Sequence, residues 1–396
     1  MKILMVAPLS SHATLGRIAA LHTPNTRIDF IDIGLRPTRA DMSLYPMSLI
    51  DNYYDLRGEN LDLFLTHPSP TNIVFDALRS WCILPEDVKL KKVFNTFVKK
   101  SDPDIIYAYY GSLSMRYIRL INNDFNLPII QVFNTYPITL ESENKIKRFF
   151  KRLFINEFVD YKMHAHKVTK YIAASVPMFN FANDKLKVSN NAITIIPDYL
   201  PKSFYCKNVN DKDFNYENWN DLVFLGAPER WGKKIDDIDE QLSEMSRFGL
   251  NVYISEKSAG AHYPFSYPYF SDADVMVGKL ADHCNRFSAA LITYNFSKPR
   301  SRFRGTLPTR FFSAISVGIP ILVKRGQFTS VEEYVKKYNI GIVFDDYEHL
   351  VLELRDKVRL KRLRENAKEH SKRYFAESQR ILMTSLFEEL TNEDKT

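Results

Sequence analysis

Long apolar runs are missing from this 396-residue chain. No stretch reaches the roughly 18 consecutive apolar residues that a membrane-spanning helix needs, so none is expected. Cysteine is scarce. Cys82, Cys206 and Cys284 are far apart and odd in number, which argues against a disulfide framework or a zinc site and for a reducing compartment. No His/Cys/Asp cluster has metal-ligand spacing, so neither a metal nor another cofactor is expected. No nucleic-acid motif, internal repeat or low-complexity tract stands out. The opening Met1-Lys2-Ile3-Leu4-Met5-Val6-Ala7-Pro8 resembles a signal peptide only superficially. Its apolar run is short and no small-x-small site follows, so it reads as a first buried strand.

What is present is enough for two cores. Apolar residues make up 45% of the chain, and its length suits two domains. Short apolar runs alternate with amphipathic stretches, the pattern of parallel α/β architecture. Strands are expected over 2–8, 27–33, 104–109, 127–133, 170–175 and 192–197, with helices over 86–100 and 112–123. Residues 34–80 read as a long irregular excursion near a cleft. The polar stretch 202–220 reads as a linker. Strands then resume at 222–226, 251–255, 289–294, 319–324 and 341–344, with helices over 236–248, 280–288, 308–317, 330–338 and 347–358. A helical region over 360–390 closes the chain. The expected fold is α/β, with two doubly wound Rossmann-like domains facing a central cleft. The expected limits are 1–201 for the acceptor side, 202–220 for the linker and 221–375 for the donor side. A last helix over 376–396 is expected to pack back on the first domain. Open sheets of this kind bind ligands at their strand carboxyl ends. The formal net charge of +7 and pI near 9.0 favour anionic partners.

The most informative segment is Arg302-Phe303-Arg304-Gly305-Thr306-Leu307-Pro308-Thr309-Arg310, running on to Gly318-Ile319-Pro320. Thr306 can cap a helix, and Pro308 suits its first turn. Gly318 stands where a left-handed cap would end it, and Pro320 forbids continuation. The free N–H groups of such a helix start form an anion site, with Arg310 in the first turn. This stretch resembles the donor-binding helix of GT-B glycosyltransferases related to family 4, where a TLP-x-[K/R] pattern is followed by G-x-P. The resemblance implies that Thr306, Leu307 and Arg310 hold the diphosphate end of a nucleotide-sugar donor. Phe224-Leu225-Gly226-Ala227-Pro228-Glu229-Arg230-Trp231-Gly232-Lys233 is similar to the start of the same family's second domain, which implies phosphate contacts from Arg230 and Lys233. Residues 168–178 and 195–200 resemble the family's run into its interdomain crossing.

The chain also departs from that pattern. Retaining relatives carry a Glu-x7-Glu pair, whose members would fall near Gly305 and at Ser313. Neither position is acidic. The histidine that often follows the fourth strand would fall at Tyr107, and the glycine-rich first loop is replaced by Pro8-Leu9-Ser10-Ser11-His12. His12 is therefore the candidate catalytic residue, the general base of an inverting reaction, because an imidazole suits proton removal from a hydroxyl. A plain loop histidine or helix cap is the other reading. His67 is a second candidate, and His164 and His166 read as helix-face residues. Arg302 and Arg304 are additional candidate anion contacts, or a solvated basic loop.

The resemblance implies a metal-independent hexosyltransferase in cell-surface polysaccharide or glycoconjugate synthesis. It takes a nucleotide-diphosphate sugar, UDP-linked by default, to a glycan or lipid-linked acceptor, with the diphosphate neutralised by Arg, Lys and the helix end. A GT-B nucleotide-sugar epimerase and a non-catalytic sugar-nucleotide binding protein are the alternatives. Residues 145–158 place Ile146, Phe149, Phe150, Leu153 and Phe154 on one helical face, with Lys145, Lys147, Arg148, Lys151 and Arg152 around it. That face either docks on an anionic membrane or packs on the first sheet. The expected location is the cytoplasm, with peripheral attachment at the inner membrane face.

Overall fold

The computed structural model describes residues 1–9, 11–34, 41–56, 85–109, 117–122, 124–134, 165–207, 214–226, 237–259, 263–295 and 301–393. They form two compact units. The first comprises residues 1–197, 301–306 and 379–396, and the second 198–300 and 307–378. Among the described residues no helix is long and apolar enough to cross a membrane.

In the first unit the strands are β1 (Lys2–Ala7), β2 (Arg27–Asp32), β3 (Asn52–Asp55), β4 (Ile105–Ala108), β5 (Ile129–Phe133), β6 (Lys170–Ala173) and β7 (Ile193–Ile195). They pair in parallel in the order β3-β2-β1-β4-β5-β6-β7. Helices α1 (His12–Leu21), α2 (Pro85–Ser101) and α3 (Val176–Leu186) connect them. Neighbouring residues of one strand serve opposite faces of a sheet. Ile106 joins a core with Leu90, Phe94 and Val98 of α2, while Tyr107 meets Phe387 edge-on. β3 lies inside the stretch expected to be irregular. Its Asn52-Tyr53-Tyr54-Asp55 is polar at both ends and forms a sheet edge, so it lacks the apolar run that marks the buried strands.

The second unit repeats the plan. β8 (Asp221–Val223), β9 (Asn251–Ser255), β10 (Ser266–Tyr267), β11 (Ala289–Ile292), β12 (Ile321–Lys324) and β13 (Gly341–Phe344) form a parallel sheet in the order β10-β9-β8-β11-β12-β13. Around them run α4 (Asp239–Arg247), α5 (Lys279–Cys284), α6 (Thr309–Val317), α7 (Thr329–Tyr338), α8 (Tyr347–Arg355) and α9 (Lys357–Arg373). Gly341 is dictated by packing. A Cβ there would stand 2.0 Å from the Ile321 carbonyl oxygen on the paired strand.

Both sheets are doubly wound, and in each the winding reverses beside its first strand. The switch points lie between β1 and β4 and between β8 and β11. Ligands of open α/β sheets bind outside the strand carboxyl ends at such points.

Two expectations change. Residues 202–207 and 214–220 fall inside the second unit, with Phe204, Tyr205 and Phe214 buried. Their polar neighbours mask these aromatic anchors in the composition. The closing helical region breaks at residues 374–375, between α9 and α10 (Arg380–Glu393). There the Tyr205 hydroxyl donates to the Tyr374 carbonyl at 2.6 Å and Ala376 N–H donates to the Leu200 carbonyl at 2.9 Å. Tertiary partners thus take backbone groups that a continuous helix would use. α10 itself belongs to the first unit, where the Arg380 Nε donates to the Ala19 carbonyl at 3.1 Å.

Candidate active site

At the switch point of the second sheet stands Arg310, in the first turn of α6. The residue is 9% exposed. Nη1 donates to the carbonyl of Thr293, just beyond β11, at 3.0 Å. The guanidinium carbon lies 4.5 Å from the Phe224 ring centre and 4.3 Å from that of Tyr294. Phe224 follows β8 and Tyr294 follows β11, so one cation joins the ends of the two strands that flank the switch point. Desolvated cation–π contacts of this kind stabilise by about 2 kcal/mol. Gly226 leaves the room for it, since a Cβ there would be 3.3 Å from the Arg310 guanidinium carbon.

The surrounding rim is built from short polar bonds. Thr293 Oγ1 donates to Gln327 Oε1 at 3.0 Å, and Gln241 Nε2 donates to the Tyr294 carbonyl at 3.0 Å. The Glu332 carboxylate accepts from Gly326 N–H at 2.6 Å, holding the turn between β12 and α7. Gly326 has φ +80°, a conformation that glycine adopts without strain.

α6 starts and stops largely where its residues indicate. Gly318 ends it in the left-handed region at φ +76°. The cap differs from expectation. Pro308 occupies the N-cap position, and Thr306 Oγ1 donates instead to the Phe303 carbonyl at 2.8 Å. Thr306 lies two residues too early: Pro308 stands extended at ψ 153° and its ring disfavours helical backbone at Leu307 before it, so the helix opens only at Thr309. Thr306 and Leu307 are both buried. Ser313, in the place of an acidic relative, donates to the Thr309 carbonyl at 3.2 Å.

The other candidates are distributed differently. Arg304 is exposed on the short helix Ser301–Arg304, which belongs to the first unit along with Thr306. Arg302 lies on the same helix. The carbonyl of Gly305 in that segment accepts from Ser175 Oγ at 2.9 Å, and the same hydroxyl oxygen caps α3 by accepting from Met178 N–H. Arg230 and Lys233 lie outside the described residues, as do Ser10, His67, His164 and the 145–158 segment. His166 sits in a short 3-10 turn, Ala165–Lys167, rather than on an α-helix.

His12 opens α1 and is half-buried. It follows β1 at the switch point of the first sheet. The turn that delivers it is anchored by Asp32, wholly buried at the end of β2. Asp32 Oδ1 accepts from Leu9 N–H at 3.1 Å and from Gly34 N–H at 2.8 Å, and Oδ2 accepts from the Tyr53 hydroxyl at 2.8 Å. Thr14 Oγ1 donates to the Pro8 carbonyl at 2.7 Å from the far side of the turn. Asp32, Tyr53, Phe224 and Tyr294 were not among the sequence candidates. Their common signal is position, within two residues of a strand end, and it becomes readable only when strand order is known.

A cavity of 670 Å³ lies at the opposite, amino-terminal edge of the first sheet. Met1, Asn25, Asp104, Pro128 and Glu388 are among its lining residues.

No protein-family model matches the chain, and no curated protein matches it by sequence. Solved structures do resemble it. Sucrose-phosphate synthase from Thermosynechococcus elongatus superposes with a TM-score of 0.67 at 11% identity, covering 99% of this chain and 100% of that one. HepE of Anabaena, solved with UDP and glucose, gives 0.60 at 12% identity over 98% and 99% of the two chains. A UDP-N-acetylglucosamine 2-epimerase gives 0.51 at 12% identity over 94% of each. Two parallel doubly wound sheets and full-length similarity to glycosyltransferase structures together give this chain the GT-B fold.

Proposed function

We propose that the chain is a glycosyltransferase that moves a sugar from a nucleotide-diphosphate donor to a glycan or lipid-linked acceptor, in cell-surface polysaccharide or glycoconjugate synthesis. The observation that carries this reading is Arg310, a buried cation joining the ends of β8 and β11 beside the amino terminus of α6. Such a point suits the diphosphate of a leaving nucleotide, whose negative charge grows as the glycosidic bond to phosphate breaks. The neighbour solved with UDP and glucose supports a UDP-linked donor.

Arg310 acts with Arg230 and Lys233 on the diphosphate, and Thr306 and Leu307 shape the approach to α6. Arg302 and Arg304 add positive charge. These cations and the helix end neutralise the leaving group without a divalent ion. In an inverting step the acceptor oxygen bonds to the anomeric carbon, the carbon–oxygen bond to the diphosphate breaks, and His12 takes the acceptor proton. Loss of such a base costs about a hundredfold or more in rate. His12→Ala with near-normal turnover at saturating donor would remove His12 from the mechanism.

The epimerase among the similar structures keeps a second reading open. Thermal-shift measurements against UDP, GDP, ADP and CMP sugars would find the donor, since ligand binding to the native state raises apparent stability. The labelled donor then separates the readings. Transfer to an acceptor supports the glycosyltransferase. An altered free sugar nucleotide supports an epimerase, and binding without turnover supports neither enzyme.

A further inference from the structure

We propose that Asp32 is a positioning residue for His12, holding the β1–α1 turn in the geometry that proton transfer requires; this rests on the glycosyltransferase reading and on His12 as its base. Asp32 has no exposed surface and stands at the carboxyl end of β2, next to β1 in the sheet. One of its oxygens serves two turns together, through Leu9 N–H at 3.1 Å and Gly34 N–H at 2.8 Å. The other oxygen accepts from Tyr53 of β3 at 2.8 Å, which fixes the plane of the carboxyl group. Leu9 is three residues from His12, and Ser11 between them is the N-cap of α1. The carboxyl group therefore sets where the turn leaves the sheet, and Thr14 sets where it enters α1 through the Pro8 carbonyl at 2.7 Å. A buried carboxyl group is costly to desolvate unless donors compensate it.

Misplacement of a reacting group by about 1 Å costs on the order of a hundredfold in rate. Asp32→Ala frees the Leu9 and Gly34 amides and should lower kcat by about tenfold to a hundredfold. Donor affinity should stay unchanged, because Leu9, Gly34 and Tyr53, the groups Asp32 holds, have no role at the donor. Asp32→Asn keeps one accepting oxygen for the two amides and should recover kcat to within about threefold of the parent, as expected where geometry is the contribution. It also covers the case in which Asp32→Ala folds poorly.

The test is a double-mutant cycle of Asp32→Ala and His12→Ala, with turnover measured at saturating donor and donor affinity by titration calorimetry. A residue acting through His12 loses its effect once His12 is gone. The expected result is a large kcat loss in each single variant and little further loss in the pair. A kcat loss of equal factor in the His12→Ala background, or parental kcat in Asp32→Ala, overturns the inference while leaving His12 as the base. Parental kcat in His12→Ala overturns the base assignment, and the inference with it.

Discussion

The guanidinium carbon of Arg310 lies 4.3 Å from the centre of the Tyr294 ring. Tyr294 follows β11 and Arg310 lies in the first turn of α6, so this contact ties the end of a central strand to the start of the helix that leads into β12.

Truncating Arg310 should therefore do two things. Arg310→Ala should weaken UDP binding by about tenfold to a hundredfold, the range expected for lost charged hydrogen bonds. It should also lower the unfolding free energy by about 2 kcal/mol, through loss of its ring contacts. Arg310→Lys should restore only part of the affinity, because an ammonium lacks the planar fork. Titration calorimetry with UDP, run well below the variant's melting temperature, separates the two effects. Parental affinity in a folded Arg310→Ala protein would move the donor site elsewhere.

Gly341→Ala should destabilise the second unit by about 3 kcal/mol or more, since overpacking against backbone has no cheap relief. The added methyl would meet the Ile321 carbonyl oxygen at 2.0 Å and the Ile321 nitrogen at 2.7 Å. Urea unfolding followed by far-UV circular dichroism measures it. A midpoint unchanged from the parent would contradict the close approach of β12 and β13.

Burial pushes the His370 imidazole down from 6.5 to about 4. Its Nε2 lies 3.0 Å from the Tyr334 hydroxyl, among the rings of Tyr334, Tyr338 and Tyr374. Between those two pH values the unfolded chain binds the proton and the folded one does not. The stability this neutral ring contributes is complete above pH 6.5 and is lost as pH falls toward about 4. The full loss amounts to about 3 kcal/mol. His370→Phe should flatten that part of the stability profile relative to the parent, whatever it does to absolute stability. Identical slopes in the two proteins would refute the assignment.

The 145–158 segment should bring the protein to anionic vesicles. Flotation with phosphatidylglycerol-containing liposomes should recover more protein than flotation with phosphatidylcholine alone. Phe149→Ser with Phe150→Ser should abolish the difference, because buried apolar area and lysine attraction act together at an interface. Equal recovery on both vesicles would favour packing of those phenylalanines within the protein.

The α/β class, the repeated domain plan and most of the buried strands were readable from the chain alone. Apolar runs such as Ile3-Leu4-Met5-Val6 and Ile105-Ile106 report burial on both faces of a parallel sheet, and that property is local. The end of α6 was equally readable, because the left-handed backbone at Gly318 and the ring of Pro320 act on their own neighbours. Strand order was not local. Only the tertiary structure set β1 beside β4 and β8 beside β11, and those adjacencies define the switch points at which His12 and Arg310 stand. The partners of the site followed the same rule. Asp32 reaches Leu9 across 23 residues of sequence, and Arg310 reaches Thr293 across 17. Propensity and spacing act over a few residues, whereas a hydrogen bond between strand ends depends on which strands lie side by side.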